Sequence, residues 1–197
     1  MTIRRLPLIP TVLVMIAVAV MVRLGFWQLD RMHQKEALLA LYARNETLSS
    51  EAVLPADKAA REQVWFRHTT VECRGEGETR PMAGHNRRGE TGWAQWGDCL
   101  GPDGKTPLAE VNYGWSTDPR AVRYIGGTVA GIIAPDGASG ARIVSAKPIP
   151  GLQQSAAPNP TDMPNNHLSY AVQWFAFAAT ALVIYALALR KKMSSAP

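Results

Sequence analysis

The chain has 197 residues, room for one modest domain with accessory segments, and a calculated isoelectric point of about 9.5 that by itself would admit a nucleic-acid ligand. The placement of the charges excludes one. All 16 acidic residues and 15 of the 21 Lys and Arg residues lie between Asp30 and Asp162, leaving that stretch at net −1. Arg4, Arg5, Arg23, Arg190, Lys191 and Lys192 lie outside it. Such a chain has no basic face for phosphates; a near-neutral middle between basic ends is the pattern of a membrane protein with cytoplasmic positive ends.

Residues 1–7 are expected as a short cytoplasmic N-terminus. Leu8 to Val22 is uncharged and almost wholly apolar. Continued past Arg23 to Leu29, the run reaches the ~20 residues needed to cross a bilayer, so residues 8–29 are expected as the first transmembrane helix. Arg23 lies near the outer end, one turn before Trp27 and Gln28, where it can snorkel to the interface. The competing reading is a cleaved secretory signal with Ala17-Val18-Ala19 as its small-residue site. The helical pattern runs unbroken through Trp27, which favours an anchor. The span starts within a few residues of Met1, which leaves no room for a mitochondrial presequence and points to a bacterial inner membrane.

Residues 30–165 follow as one β-rich domain. Gln28 to about Leu48 reads as a helix leaving the membrane, with Leu38, Leu41 and Tyr42 as its apolar stripe. Val64–Cys73, Thr91–Leu100, Leu108–Trp115 and Val122–Ile133 are rich in Val, Thr, Ile and aromatics and read as strands. Gly75, Gly77, Gly84, Gly89, Gly101, Gly104 and Asp118-Pro119 supply the breaks between them. Short strands with such turns suggest a compact antiparallel barrel or sandwich. Residues 135–164, rich in Pro, Gly, Ser and Ala, read as a loose tether. Cys73 and Cys99 match no metal or redox spacing; an oxidising compartment permits a disulfide, and the sequence leaves that open.

Residues 167–189 form the second expected transmembrane helix, with Trp174, Phe175, Phe177 and Tyr185 and no charge from Tyr170 to Leu189. Residues 190–197, beginning Arg190-Lys191-Lys192, are expected as a cytoplasmic tail. The positive-inside rule then puts both termini in the cytoplasm and the middle domain in the periplasm. The expected fold is a membrane α+β protein: two transmembrane helices flanking a small antiparallel β-barrel or sandwich-like periplasmic domain.

Enzyme signatures are missing: no phosphate loop, nucleophile elbow, zinc-protease pair or CxxC. No catalytic residue and no enzymatic activity are expected. His33, His68, His85 and His167 are far apart in sequence. Met82 with His85 suggests a copper pair, but thiolate-rich copper motifs are lacking, and a surface loop is the better reading.

The most informative segment precedes the second span. Asn165 or Asn166 can cap the helix, which places His167 in or beside its first turn, at the outer membrane surface. On a helix, His167, Tyr170 or Ala171, Trp174 and Phe177 or Ala178 share one face. A histidine above an aromatic stripe suits a flat apolar cofactor; interfacial anchoring by belt aromatics is the plainer alternative. On the first helix Gln28, Arg31 and Lys35 share a face that can meet carboxylates or anchor the interface.

Together these segments resemble the surfeit locus (Shy) family of cytochrome c oxidase biogenesis factors. The family's Leu-Gly-x-Trp-Gln-x-x-Arg-x-x-x-Lys pattern is matched by Leu24, Gly25, Trp27, Gln28, Arg31 and Lys35. Its Pro-Asn-Asn-His-x-x-Tyr-Ala-x-x-Trp-Phe pattern is matched from Pro164 to Phe175. Its Val-Asn-Arg-Gly-Trp-Val-Pro strand end is degenerate here, as Val111 to Thr117, with Tyr113 in place of the arginine and the proline lost. The resemblance implies a non-enzymatic assembly chaperone that binds heme a and assists its insertion into oxidase subunit I, with His167 as the iron ligand. On that reading Tyr170, Trp174 and Trp27 cradle the macrocycle, and Arg31 with Arg23 pairs the propionates. Expected partners are subunit I, heme a synthase and the lipid bilayer, with no nucleic acid. The alternative is a cofactor-free scaffold that stabilises an oxidase assembly intermediate; copper delivery is a third and weaker reading.

Overall fold

The computed structural model describes residues 7–194; Arg4 and Arg5 of the expected N-terminal segment and the last three residues of the expected tail lie outside them. The chain divides into two compact units. One contains the residues up to Leu38 and those from Pro164 onward, and the other is Leu39–Met163.

The first unit is a helix pair, α1 (Leu8–Glu46) and α2 (His167–Ser194). Each is long and apolar enough to cross a membrane. Their outward residues, Leu8, Ile9, Leu13 and Ile16 on α1 and Val183, Ile184 and Leu187 on α2, are exposed, a large apolar surface of the kind that marks a membrane or protein contact. The contact face is built from small side chains. Val18, Ala171 and Ala178 are buried, and a Cβ on Gly25 would stand 2.6 Å from the Phe175 ring. Small residues at helical spacing let apolar helices approach closely. Thr11 and Tyr185 join their hydroxyls across the pair. At 1.5 Å per residue α1 is roughly 58 Å long, about twice a bilayer's ~30 Å hydrocarbon thickness. Asn166 takes the N-cap position of α2, its carbonyl accepting from Tyr170 N–H at 3.3 Å. Neither Asn165 nor Asn166 makes the expected side-chain capping bond among the described residues.

The second unit begins with the last turns of α1. Tyr42 is fully buried against Trp65 and Phe66, with ring centroids 5.5 and 5.3 Å away. Its hydroxyl donates to Glu62 at 2.7 Å. Asn45 Nδ2 donates to the carbonyls of Gln63 and Trp65. These bonds hold Ala59–Val64 as a short 3-10 helix, and Phe66 turns the chain at φ 66°. The strand expected from Val64 therefore starts only at His68.

Six strands follow: β1 (His68–Glu78), β2 (Arg80–His85), β3 (Thr91–Leu100), β4 (Pro107–Ser116), β5 (Arg123–Ala134) and β6 (Arg142–Ser145). They form one sheet in the order β1-β5-β6-β4-β3-β2, with an additional β1–β3 pairing at Arg74↔Leu100. The sheet is mixed: β4 and β6 run parallel over Glu110–Asn112, which corrects the expectation of a purely antiparallel domain. Gly75 and Gly77 lie inside β1 and Gly84 inside β2 rather than in breaks.

The expected tether is also structured. It contributes β6, and beyond it Trp115 pairs with Gln153 and Asn86 with Ser155. Buried Asn86 and Asn112 fasten this segment through Gln153 Oε1 and Ser155 Oγ at 3.1 and 2.9 Å.

One face of the sheet carries the main core, with Val111, Ile133 and Ile143 fully buried. Consecutive strand residues point to opposite faces, so Ala134 and Val144 join Ala94 and Trp96 in a second, smaller cluster. Cys73 and Cys99, both in the main core, form a disulfide.

Tyr113 stacks on Tyr124 at 4.8 Å within that core. Burial, then the nearby Tyr124 and Asp98, push its hydroxyl up to about 12. That hydroxyl has no hydrogen-bond partner among the described residues. An unpaired buried hydroxyl contributes a desolvation cost and no bond. Tyr113→Phe is therefore expected to leave stability unchanged or raise it by up to roughly 1 kcal/mol, read from chemical unfolding. A loss of more than that would mean the hydroxyl has a partner.

Candidate functional site

The sequence motifs that precede α2 and follow the first apolar run of α1 meet inside the helix-pair unit. His167 is the first residue of α2 and half-buried. Its Nδ1 lies 2.7 Å from Gln28 Oε1 on α1. An amide oxygen only accepts, so Nδ1 carries the proton and a neutral ring keeps the Nε2 lone pair free. Gln28 thus restrains the His167 ring from α1 through Nδ1.

The expected aromatic face divides in two. Ala171 and Ala178 turn in against α1 and are buried, while Tyr170 and Phe177 are 51% and 56% exposed. Trp174 is half-buried, with Phe177 edge-on at 6.2 Å. Trp27, on α1 beside Gln28, is 45% exposed. Phe175 fills the space over Gly25 and meets Phe26 edge-on at 5.4 Å. The structure therefore brings His167 to Gln28, and leaves Tyr170 and Trp27 as exposed rings on their own helices.

The expected cationic face also separates. Gln28 turns to His167 rather than to a carboxylate. Arg31 donates to Gln34 at 2.8 Å along its own helix. Arg23 and Arg31 are exposed, and neither makes an ion pair among the described residues.

Two residues carry more of this site than sequence reasoning assigned them. Gln28 was expected only as part of a polar stripe, and Gly25 only as a motif position. The available signal was spacing: Gly25 with Ala171 and Ala178 marks a small-residue seam, and Gln28 follows Gly25 by almost one turn. Met82 and His85, the weak copper candidate, lie on β2; no group of three or more metal-ligating side chains occurs among the described residues.

Fold and site define a class: a chain with two apolar helices of membrane-crossing length, paired through a small-residue seam, and a disulfide-linked mixed sheet inserted between them in sequence. The SURF1 family model matches residues 15–179. The chain therefore belongs to the SURF1 family, whose members are assembly factors rather than enzymes and are associated with cytochrome c oxidase assembly. Comparison with curated proteins gave no match.

Proposed function

We propose that this protein lies in a bacterial inner membrane with both ends cytoplasmic and its sheet domain periplasmic, and holds heme a for insertion into oxidase subunit I. The observation that carries the reading is the His167–Gln28 hydrogen bond at 2.7 Å. It leaves one imidazole nitrogen free and oriented at the start of α2, where an axial ligand to iron is called for. The exposed rings of Trp27 and Tyr170, with Trp174, offer apolar surface to a macrocycle. Arg31 and Arg23, free of carboxylate partners among the described residues, suit propionate groups. The Cys73–Cys99 disulfide supports the periplasmic side for the sheet domain, because disulfides persist in oxidising compartments. Heme a synthase is the natural donor and subunit I the recipient.

The test is spectroscopic. Purified from a host that makes heme a, the wild-type chain is expected to carry heme absorbance and His167→Ala to lose it. Full absorbance in the variant removes His167 from the mechanism. A colourless wild-type protein that still co-purifies with oxidase subunits identifies a cofactor-free scaffold instead.

A further inference from the structure

We propose that the sheet domain binds a small carboxylate with an apolar body in a cavity over Trp96, on the sheet face opposite the main core. The cavity measures about 260 Å³, just under the usual range for small-molecule sites, so the ligand is short. Its floor is the apolar cluster of Ala94, Trp96, Ala134 and Val144.

Two donors line it without acceptors. The Arg142 guanidinium sits over the Trp96 ring, 4.5 Å from its centroid. It makes no hydrogen bond or ion pair with any other described residue, and its Nε is buried with no partner. Asp98 and Glu110 are engaged by Arg80. Asp136 accepts from Ser139; against the opposing effect of burial, those bonds and then the Arg142 charge hold its carboxyl below the usual range, but it makes no ion pair with Arg142 among the described residues. The second donor is Asn112, 4% exposed and paired with Trp96 in the ladder. Its Oδ1 accepts from Gly114 N–H and Ser155 Oγ at 2.9 Å each, which fixes the amide. Asn112 lines the cavity, and its Nδ2 makes no hydrogen bond among the described residues.

Buried donors are normally satisfied, which Arg142 Nε is not among the described residues, and a cationic donor beside a neutral one calls for an anionic oxygen pair. The guanidinium fork fits a carboxylate in both shape and charge. The apolar floor rewards a ligand that carries an alkyl or aryl group, which a free inorganic anion lacks. Amines are rejected by the charge of Arg142, and neutral apolar molecules leave both donors unpaired.

The experiment uses the full chain in detergent, labelled with ¹⁵N-tryptophan and with the Trp96 indole signal assigned through Trp96→Phe. Titration with 3-phenylpropionate is expected to move that signal saturably. Neutral 3-phenylpropan-1-ol and inorganic phosphate are each expected to bind at least roughly tenfold more weakly. Asn112→Asp keeps the oxygen that Gly114 and Ser155 need and replaces the donor with an acceptor. It and Arg142→Gln are each expected to weaken 3-phenylpropionate by roughly tenfold or more. The proposal is overturned if 3-phenylpropionate produces no saturable shift, if phosphate or the alcohol binds as well, or if Asn112→Asp binds it like the wild type. The ligand comparisons on the wild-type chain decide the matter even where a variant fails to fold.

Discussion

Replacing Cys73 and Cys99 together by alanine is expected to lower the unfolding midpoint of the sheet domain by roughly 10–15 °C. The bridge closes a loop across 26 positions, for which chain entropy gives about 3–4 kcal/mol. It also stands at a thin place in the ladder. β1 and β3 pair only at Arg74↔Leu100, the residues that directly follow the two cysteines. Elsewhere β1 rests on β5 and β3 on β4 and β2. Without the covalent link, one residue pair and the surrounding core must hold that seam. Both sulfurs are buried, with Cys73 2% and Cys99 0% exposed, so alanine is the right replacement; serine would add unpaired hydroxyls to an apolar core. Near-UV circular dichroism of the full chain in detergent reads the midpoint. Reduced wild type should unfold near the double variant, and a shift of only a few degrees would show that packing alone closes the seam.

The ends of this chain were legible because each reads in a single physical variable. An uninterrupted apolar run with cations beyond it predicts a long helix, and α1 and α2 are such helices. Thr91–Leu100 was legible too, since its β-branched and aromatic content meets a position central enough to bury it. β2 and β6 were not. β2, Arg-Pro-Met-Ala-Gly-His, alternates in neither direction and is a strand because β3 offers it a ladder. β6 is four residues inside a Pro- and Gly-rich stretch, made a strand by β5 on one side and parallel β4 on the other. Such segments take their conformation from neighbours, so local propensity is silent. Val64–Arg67 shows the converse: strand-like residues are drawn into a turn because Trp65 and Phe66 pack on Tyr42. At the site, helical periodicity put Gln28 on the correct face, but a periodicity names no partner. The bond to His167 depends on how closely the helices approach, and Gly25 sets that distance.

Gly25→Leu is accordingly expected to have the largest effect on the helix pair. Even a Cβ at this position would stand 2.6 Å from Phe175 Cε1 and 2.7 Å from Cζ. The ring has limited freedom to yield, because Phe26 meets it edge-on. A leucine forces the helices apart at this level, at a cost of about 1–3 kcal/mol by the usual penalty for overpacking. Gln28 stands less than a turn away, so the separation takes its amide out of reach of His167. Ring-nitrogen NMR of His167 reads the result. The wild type should show a single Nδ1–H tautomer, and Gly25→Leu a mixture. Adding Phe175→Ala removes the obstructing ring and should restore the single tautomer, with the coupling that contacting residues show. An unchanged His167 signal in Gly25→Leu would mean that the glycine does not set the spacing. On the proposed heme reading, the same pair of variants separates two ways of holding the macrocycle. If an oriented imidazole holds it, absorbance falls with Gly25→Leu and returns with the double variant. If heme merely partitions between apolar helices, widening the seam leaves the absorbance in place.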